Sequence, residues 1–563
     1  MGTLDLHGKP QTTGWTRLAR SATANSTSVT LREPVSWEPN DLIIITSTSF
    51  DQEEAEPMRV KEISEDGRTV ELQKPLRYQH LGDGWSDTGI DTHDGPGWAS
   101  DGDQIEEYSA EVGLLSHNVI VQGDYVTSRR QQFGVQIVWH ARGDNAAIGR
   151  LSNVEVRNAG QGLKLGKYPI HFHLIGNVSK SEVTNCTVHH AFNRAVAIHG
   201  ISNLRVTHNV VFDTRGHAVF IEDGTETKNL IHHNLVTVIR PVWSLLIVDQ
   251  SPSAFWIVNP DNIVTDNAAT SSHYGFWYRA LPKPDGVSGQ EEGDDGIKQC
   301  PNQTPLNIFR GNVAHSIGKY GLKMSQYFPS IGGANCANPT LSTPAVFQTL
   351  TVYKAGFFGI WMENLVDIHF DGMKIADTGM AGMEAMSMNG LLAFFARSNI
   401  SNTLFVGNTD GEPRERAGAS LTDTSLGKFF SQGDTREAQD GMRDASQTDN
   451  RYVHAVHLPG TGSELRLINC TVSRHQAAFF GCAWGSIGRG GYETEFEQMT
   501  FKNVGQIASW YHKYSWIMVD IDGSLTGYAG GRLVPRSGLL DRYRGAWARV
   551  TMDQFRHWAL QTV

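Results

Sequence analysis

Five cysteines spread over 563 residues are too few for a disulfide-built scaffold. Nowhere does the chain approach the roughly 18 consecutive apolar residues of a membrane span. Its opening, MGTLDLHGKP, has neither the basic n-region nor the apolar h-region of a leader peptide, which fits a cytoplasmic protein or an excised piece. Basic residues are outnumbered: 48 Lys and Arg against 59 Asp and Glu leave a formal net charge of −11. That balance argues against nucleic acid as a partner, but leaves room for a polyanionic sugar in a local basic or metal-bearing groove. The i, i+3, i+4 periodicity of amphipathic helices is missing from the repeated central stretch described next. What is plentiful is glycine, 58 residues, alongside many Asp, Asn and Thr, the composition of short strands and tight turns.

The turns repeat. YPIHFHLIG ends at Gly176, FNRAVAIHG at Gly200 and GHAVFIEDG at Gly224, two steps of 24 residues. Between them run VTNCTVHH, LRVTHNVVFD, NLIHHNLV and NIVTDNAA, in which Asn185, Asn209, Asn234 and Asn267 hold matching places, and NIFRGNVA continues the series with Asn312. Units this short cannot hold a strand, a crossover helix and a return. They predict an all-β chain, a right-handed parallel β-helix whose coils stack at the ~4.8 Å strand spacing. The three glycines should stack, and the asparagines should form a hydrogen-bonded ladder at one corner. Around this helix, placed at 111–408, the pattern predicts an irregular β-rich segment at 1–110, a polar insertion at 409–451 and further coils with a cap at 452–563. Cys300 and Cys336, in polar loops, are candidates for a bridge; Cys186 and Cys470, in near-identical NCTV strands, read as packed thiols.

YPIHFHLIG also carries the candidate chemistry. Residues i and i+2 of a strand share a face, so His171 and His173 project together while Phe172 turns away. A lone pair of this kind is most often two polar residues on an exposed strand. Stacking the repeats on their glycines sets His171 over Ala195 and Val219, and His173 over Ala197 and Ile221. The next column is then Ile175, His199 and Asp223, extended to Asp249 by the IVDQ of the following coil. His171, His173, His199, His217 and Asp223 become a candidate ligand set for a divalent ion, with zinc or another transition ion favoured over calcium by the imidazoles. The alternative is histidines that only hydrogen-bond loop carbonyls. Asp223, Asp249, His199, Glu222 and Arg194 are the candidate catalytic groups, Arg194 otherwise a buried structural arginine paired with an acid such as Glu222. Trp243, Trp277, Tyr278 and Arg279 are candidates to stack on or pair with a sugar.

Several strings then match one family in order: GTLDLHGKP, WTRLARS, SAEVGLLSHNVIVQG, YPIHFHLIGNV, HHAFNRAVAIHG, GHAVFIEDGTETKNLIHHNL, SAFWIVNPDNIVTDNAA, YGFWYR and DIDGSLTG. From Gly2 to about Gly527 the chain resembles the family of the cell-migration-inducing hyaluronan-binding protein, transmembrane protein 2 and fibrocystin-L. The resemblance implies that GTLDLHG closes a domain named for its eight glycines, and that an insertion usual after WTRLARS is absent here. It further implies a secreted or extracellular β-helix that handles hyaluronan or a related acidic glycosaminoglycan, with members that depolymerise it and members that bind or adhere. The expected partner is an acidic polysaccharide. A hydrolase using paired carboxylates Asp223 and Asp249, a lyase using His199 or His173 as base beside a cation, a non-catalytic glycan-binding module with a structural metal, and a purely structural repeat all remain open at this point.

Overall fold

A computed structural model describes residues 2–86, 104–243, 246–287, 299–331, 341–385, 388, 398–410, 453–459, 464–475, 477–481, 493–510, 517–535 and 547–550. Among them, three long sheets of 15, 12 and 12 strands run side by side up the molecule. Each coil gives one strand to each sheet: 205–207, 210–215 and 219–221 form one coil, and 230–232, 235–240 and 253–257 the next. Successive coils pair in parallel, so the fold is a parallel β-helix, and only the last two strands of the first sheet, Gly531–Pro535 and Trp547–Val550, add antiparallel. Strand Gly2–His7 stacks on Ala147–Ser152 and so serves as the lowest rung of the first sheet rather than part of a separate segment. Inside the coil, Val, Ile, Leu and Phe side chains from all three sheets form one continuous core, with stacked rings such as Phe255 on Phe276 at 4.8 Å.

The corner between the first and second sheets explains the asparagines. Asn185, His208, His233, Asp266 and Gly311 all adopt positive φ there, between 50° and 68°. Asn, Asp and Gly tolerate that conformation best, which accounts for the turn-rich composition. The ladder is built by the residue that follows, so Asn209, Asn234, Asn267 and Asn312 belong to it and Asn185 does not. Cys186 takes the rung expected of Asn185, and its N–H donates to Asn209 Oδ1 at 2.9 Å. Asn234 Oδ1 accepts from Asn209 N and Nδ2 at 3.1 and 2.9 Å, while its own Nδ2 donates to Asn267 Oδ1 and Val206 O, both at 2.9 Å. A second ladder, Asn229 on Asn262, lies at the corner leading into the first sheet. Asn234→Leu leaves several buried backbone and side-chain groups unpaired. The expected loss is about 2–4 kcal/mol, read as a fall in the urea midpoint with an unchanged far-ultraviolet spectrum.

The glycines do not stack as expected. Gly176 pairs with Ile201, one residue past Gly200, and a bulge between Gly176 and His173 shifts the register by one more, with Leu174 within it at φ 54°. Cys186 and Cys470 are buried free thiols, as read, and burial raises both to about 12. Cys300 is disulfide-bonded; Cys336 lies outside the described residues, as does nearly all of the 409–451 insertion.

Residues from the N-terminal region form a six-stranded antiparallel sheet with its own core. It docks on the outer face of the second sheet. Trp15 Nε1 donates to His233 O at 2.9 Å, and Tyr108 OH to Asp377 at 2.5 Å. The fully buried Glu111 meets His315 at 2.7 Å. Burial alone would raise the Glu111 carboxyl, but His315, Arg17 and the Thr46 hydroxyl outweigh it and hold it at about 2, below the ordinary 4.5. A depressed carboxyl contributes stability that is complete above pH 4.5 and lost as pH falls toward 2. That contribution is on the order of 3 kcal/mol. Glu111→Gln should therefore be less stable at neutral pH and flatten the acid limb of the stability profile; an unchanged limb would assign acid unfolding to other carboxylates.

Candidate metal and acid–base centre

The bulge brings the histidines together. Strand Ile170–Asn177 pairs with Val196–Ser202 so that His171 sits on Ala197 and His173 directly on His199, two positions from the glycine-based stacking. His171, His173 and His199 each bring a ring nitrogen within 4.8 Å of the others', the one such His, Cys, Asp or Glu group among the described residues. His173 Nδ1 and His199 Nδ1 face each other at 3.0 Å. His199 Nε2 donates to Asp223 Oδ2 at 2.7 Å, which leaves Nδ1 to offer its lone pair. His171 Nδ1 donates to Gly166 O at 3.1 Å, and its Nε2 is buried with no hydrogen-bond partner. These tautomers suit a cation at the centre of the three rings: two of them spend the outer N–H on an oxygen and turn the inner nitrogen inward.

Charge at the site is graded. Burial and the neighbouring imidazoles push His171 down to about 3 and His173 to about 4. Burial also opposes charge on His199, but the Asp223 hydrogen bond and the Glu222 charge win and raise it to about 9. A bound cation would replace that proton. Glu222 Oε2 lies 3.4 Å from His199 Nδ1. Burial raises its carboxyl to about 7, against the pull of His199 and Arg194.

Other expected site residues fall elsewhere. IVDQ is a short 3-10 turn before the strand Ser253–Ile257, so Asp249 does not extend the His199 column. It is fully buried and held by Arg194, whose Nη2 reaches Oδ2 at 2.8 Å and Oδ1 at 3.0 Å. Asp249 is thus Arg194's partner, in place of Glu222, and is not free to act as a second catalytic carboxylate beside Asp223. Arg194 Nη1 also donates to Tyr168 OH at 3.0 Å, and that hydroxyl donates to Glu222 Oε1 at 3.4 Å. Arg194 therefore reaches the cluster only through Tyr168. His217 is outside the metal set: its Nδ1 accepts the Ser253 N–H at 3.0 Å, so the proton sits on Nε2, 3.7 Å from Asp249. Asp223 braces His199 from behind. Tyr278 points into the core against Phe309 and Phe347 and cannot meet a sugar. Trp277 faces outward, Arg279 two residues on shares its face, and Trp243 stands half-exposed in the loop after strand Leu235–Arg240.

One outward column escapes sequence reading. His171, Ala197, Phe220, Trp256, Trp277, Lys323, Trp361, Glu384 and His457 pair in succession along the third sheet. Glu384 Oε2 meets His457 Nδ1 at 2.5 Å, another carboxylate–imidazole pair. The signal is the residue after each core position in AFWIV, YGFWYR, GLKMS, FGIWME, AGMEA and HAVH, hidden because the segments between these strands differ greatly in length.

Fold and cluster together define a β-helical protein with a candidate metal or acid–base centre on the outer face of one sheet. The sequence model of the CEMIP β-helix family matches residues 132–322 of the chain. Fibrocystin-L of Homo sapiens is 32% identical over 582 residues, 96% of this chain but 13% of its own length. The cell surface hyaluronidase CEMIP2 of Homo sapiens is 30% identical over 359 residues, 56% of this chain and 24% of its own. The chain thus spans a small part of each. Among solved structures, PfbA, a surface adhesin of Streptococcus pneumoniae, covers 74% of this chain and 88% of its own at 9% identity and TM-score 0.39, too slight a likeness to bear on this site.

Proposed function

We propose that this chain shortens an acidic polysaccharide of the hyaluronan or glycosaminoglycan type, at the cell surface or outside the cell. The carrying observation is the convergence of His171, His173 and His199 within 4.8 Å, with Asp223 and Glu222 against His199. The hyaluronidase named among the relatives supports the substrate class. His171, His173 and His199 would hold a divalent ion, which would supply Lewis-acid chemistry there. Around it, Asp223 fixes the His199 ring. Glu222, raised to about 7, keeps a proton near neutral pH for the departing sugar oxygen. Tyr168 and Arg194 hold Glu222 in line.

Deep burial of His171 and His199, at 3% and 5% exposure, favours a second reading in which the ion clips two coils of a glycan-binding module. Size-resolved incubation of the purified chain with hyaluronan, chondroitin and a uronate polymer, with and without chelator, separates the two. Chelator-sensitive shortening supports the enzyme, and ultraviolet-absorbing unsaturated ends would mark it a lyase. Binding without shortening under every metal condition gives the module.

A further inference from the structure

Of the three rings in the histidine cluster only His173 is partly exposed, so the cluster meets solvent on the side of strand Ile137–His140, the lowest of the third sheet. On that strand His140 lies directly below His173 and is exposed, the two ring centroids 4.9 Å apart. A carbonyl can only accept, so His140 Nδ1 donates to His173 O at 3.2 Å and the Nε2 lone pair is left for a donor from outside. Val138, two residues back on the same face, is exposed as well.

Two fastened loops bracket the strand. Residues 161–167 are tied down by the fully buried Asn193, whose Nδ2 donates to Gln161 O at 2.9 Å and Lys164 O at 2.8 Å, and by His171, which donates to Gly166 O. Residues 141–145 are tied to the bulge: Gly143 N donates to Leu174 O at 2.8 Å, and Asn145 Oδ1 accepts from Asn177 N at 2.6 Å. The first loop carries Lys164 and Lys167 and the second Arg142, all exposed and none paired with a carboxylate among the described residues. Between 129 and 167 the chain holds seven Lys and Arg against two Asp and Glu, although its net charge is −11. Most of the protein therefore repels a polyanion, and this end attracts one. Leu163 and Leu165 stand exposed beside the lysines, apolar surface next to the cations.

We infer that His140, Arg142, Lys164 and Lys167 form the surface on which an acidic polysaccharide lies as it reaches the histidine cluster. The cations stand toward opposite ends of one strand, so they engage carboxylates on more than one sugar. His140 Nε2 accepts from a sugar hydroxyl, and Val138 with the two leucines covers apolar ring faces. The surface rests on the acidic-polysaccharide reading and deepens it by naming the side from which the polymer enters and the groups that recognise its charge.

Binding measured in chelator, where no metal-dependent cleavage runs, tests this apart from the depolymerase reading. The probes are a hyaluronan oligosaccharide and the same oligosaccharide with its carboxyl groups reduced to alcohols, titrated by calorimetry at low and high salt. The native chain should prefer the acidic form by about tenfold or more, equivalent to ~1.4 kcal/mol. High salt should remove most of that preference. The double variant Lys164→Gln, Lys167→Gln and the single Arg142→Gln should each cut the preference by about threefold or more. Arg205→Gln, which removes an exposed cation from the first sheet, should leave it nearly unchanged. His140→Ala should weaken both oligosaccharides severalfold while metal content, read by elemental analysis without chelator, stays at the native level. Equal affinity for the two probes, no binding of either (with anionic phospholipid vesicles bound instead, or nothing), or losses no larger than that of Arg205→Gln overturns the surface. Metal lost from His140→Ala would assign that ring to the ion and overturn its part as a sugar contact. A chain that discriminates the carboxylate through these residues but never shortens the polymer would keep the surface and lose the depolymerase; one that shortens hyaluronan with every variant at native affinity would do the reverse.

Discussion

His173→Ala should strip the chain of stoichiometric divalent metal and of polymer-shortening activity together, while its β-rich spectrum and unfolding midpoint stay close to native. His173 is the partly exposed member of the trio, so removing it opens no cavity in the core. It also faces His199 Nδ1 at 3.0 Å, which makes it a wall of the cluster rather than a bystander. Asp223→Asn probes the support. The amide keeps the shape but cannot hold the His199 Nε2–H with a full negative charge, and the usual cost of such a change is about 10–100-fold in metal affinity. Elemental analysis after dialysis, read beside chain-shortening rates, decides the matter. Metal retained at full stoichiometry in both His173→Ala and His199→Ala would place the ion elsewhere; metal lost with activity intact would reduce it to a clip between coils.

Arg194→Met should be among the most destabilising single changes in the chain. Arg194 and Asp249 are both fully buried, and the guanidinium also packs 3.8 Å over the Phe220 ring. Methionine fills much of the volume but strands a carboxylate in a dry interior, a loss of about 3–5 kcal/mol. The double variant Arg194→Met, Asp249→Leu removes both charges and should recover most of the loss, because a buried pair contributes less than either partner costs when left alone. Urea midpoints of the two single variants and the double close the cycle. Equal instability of single and double variants would show that Arg194 acts by packing alone. The double variant carries a second readout: without Arg194, Tyr168 no longer anchors Glu222, so activity should stay low even where stability returns.

Much of this was legible in residues 168–236. Short repeated units with Asn and Gly at matching corners admit no architecture but stacked coils, because each unit is too short for a crossover helix and buries its apolar strand only against its neighbours. The strand parity of His171 and His173, and the presence of His199 and Asp223 near them, also followed from the chain alone. Register did not. A one-residue bulge at Leu174 and Ile175 moves every partner beyond it, and spacing cannot reveal whether an extra residue sits in a strand or a turn. So the sequence pointed to four histidines and a carboxylate, whereas the fold decided that His173 stacks on His199, that Asp223 stands behind it and that His217 lies outside the cluster. It also decided which faces count: Tyr278 turned into the core, Asp249 was captured by Arg194 from a 3-10 turn, and Lys323 was brought between Trp277 and Trp361 from 46 residues along the chain. Local propensity and periodicity are written in neighbouring residues. Which strands lie side by side across insertions of unequal length is settled only when the coils close and every backbone group finds its partner.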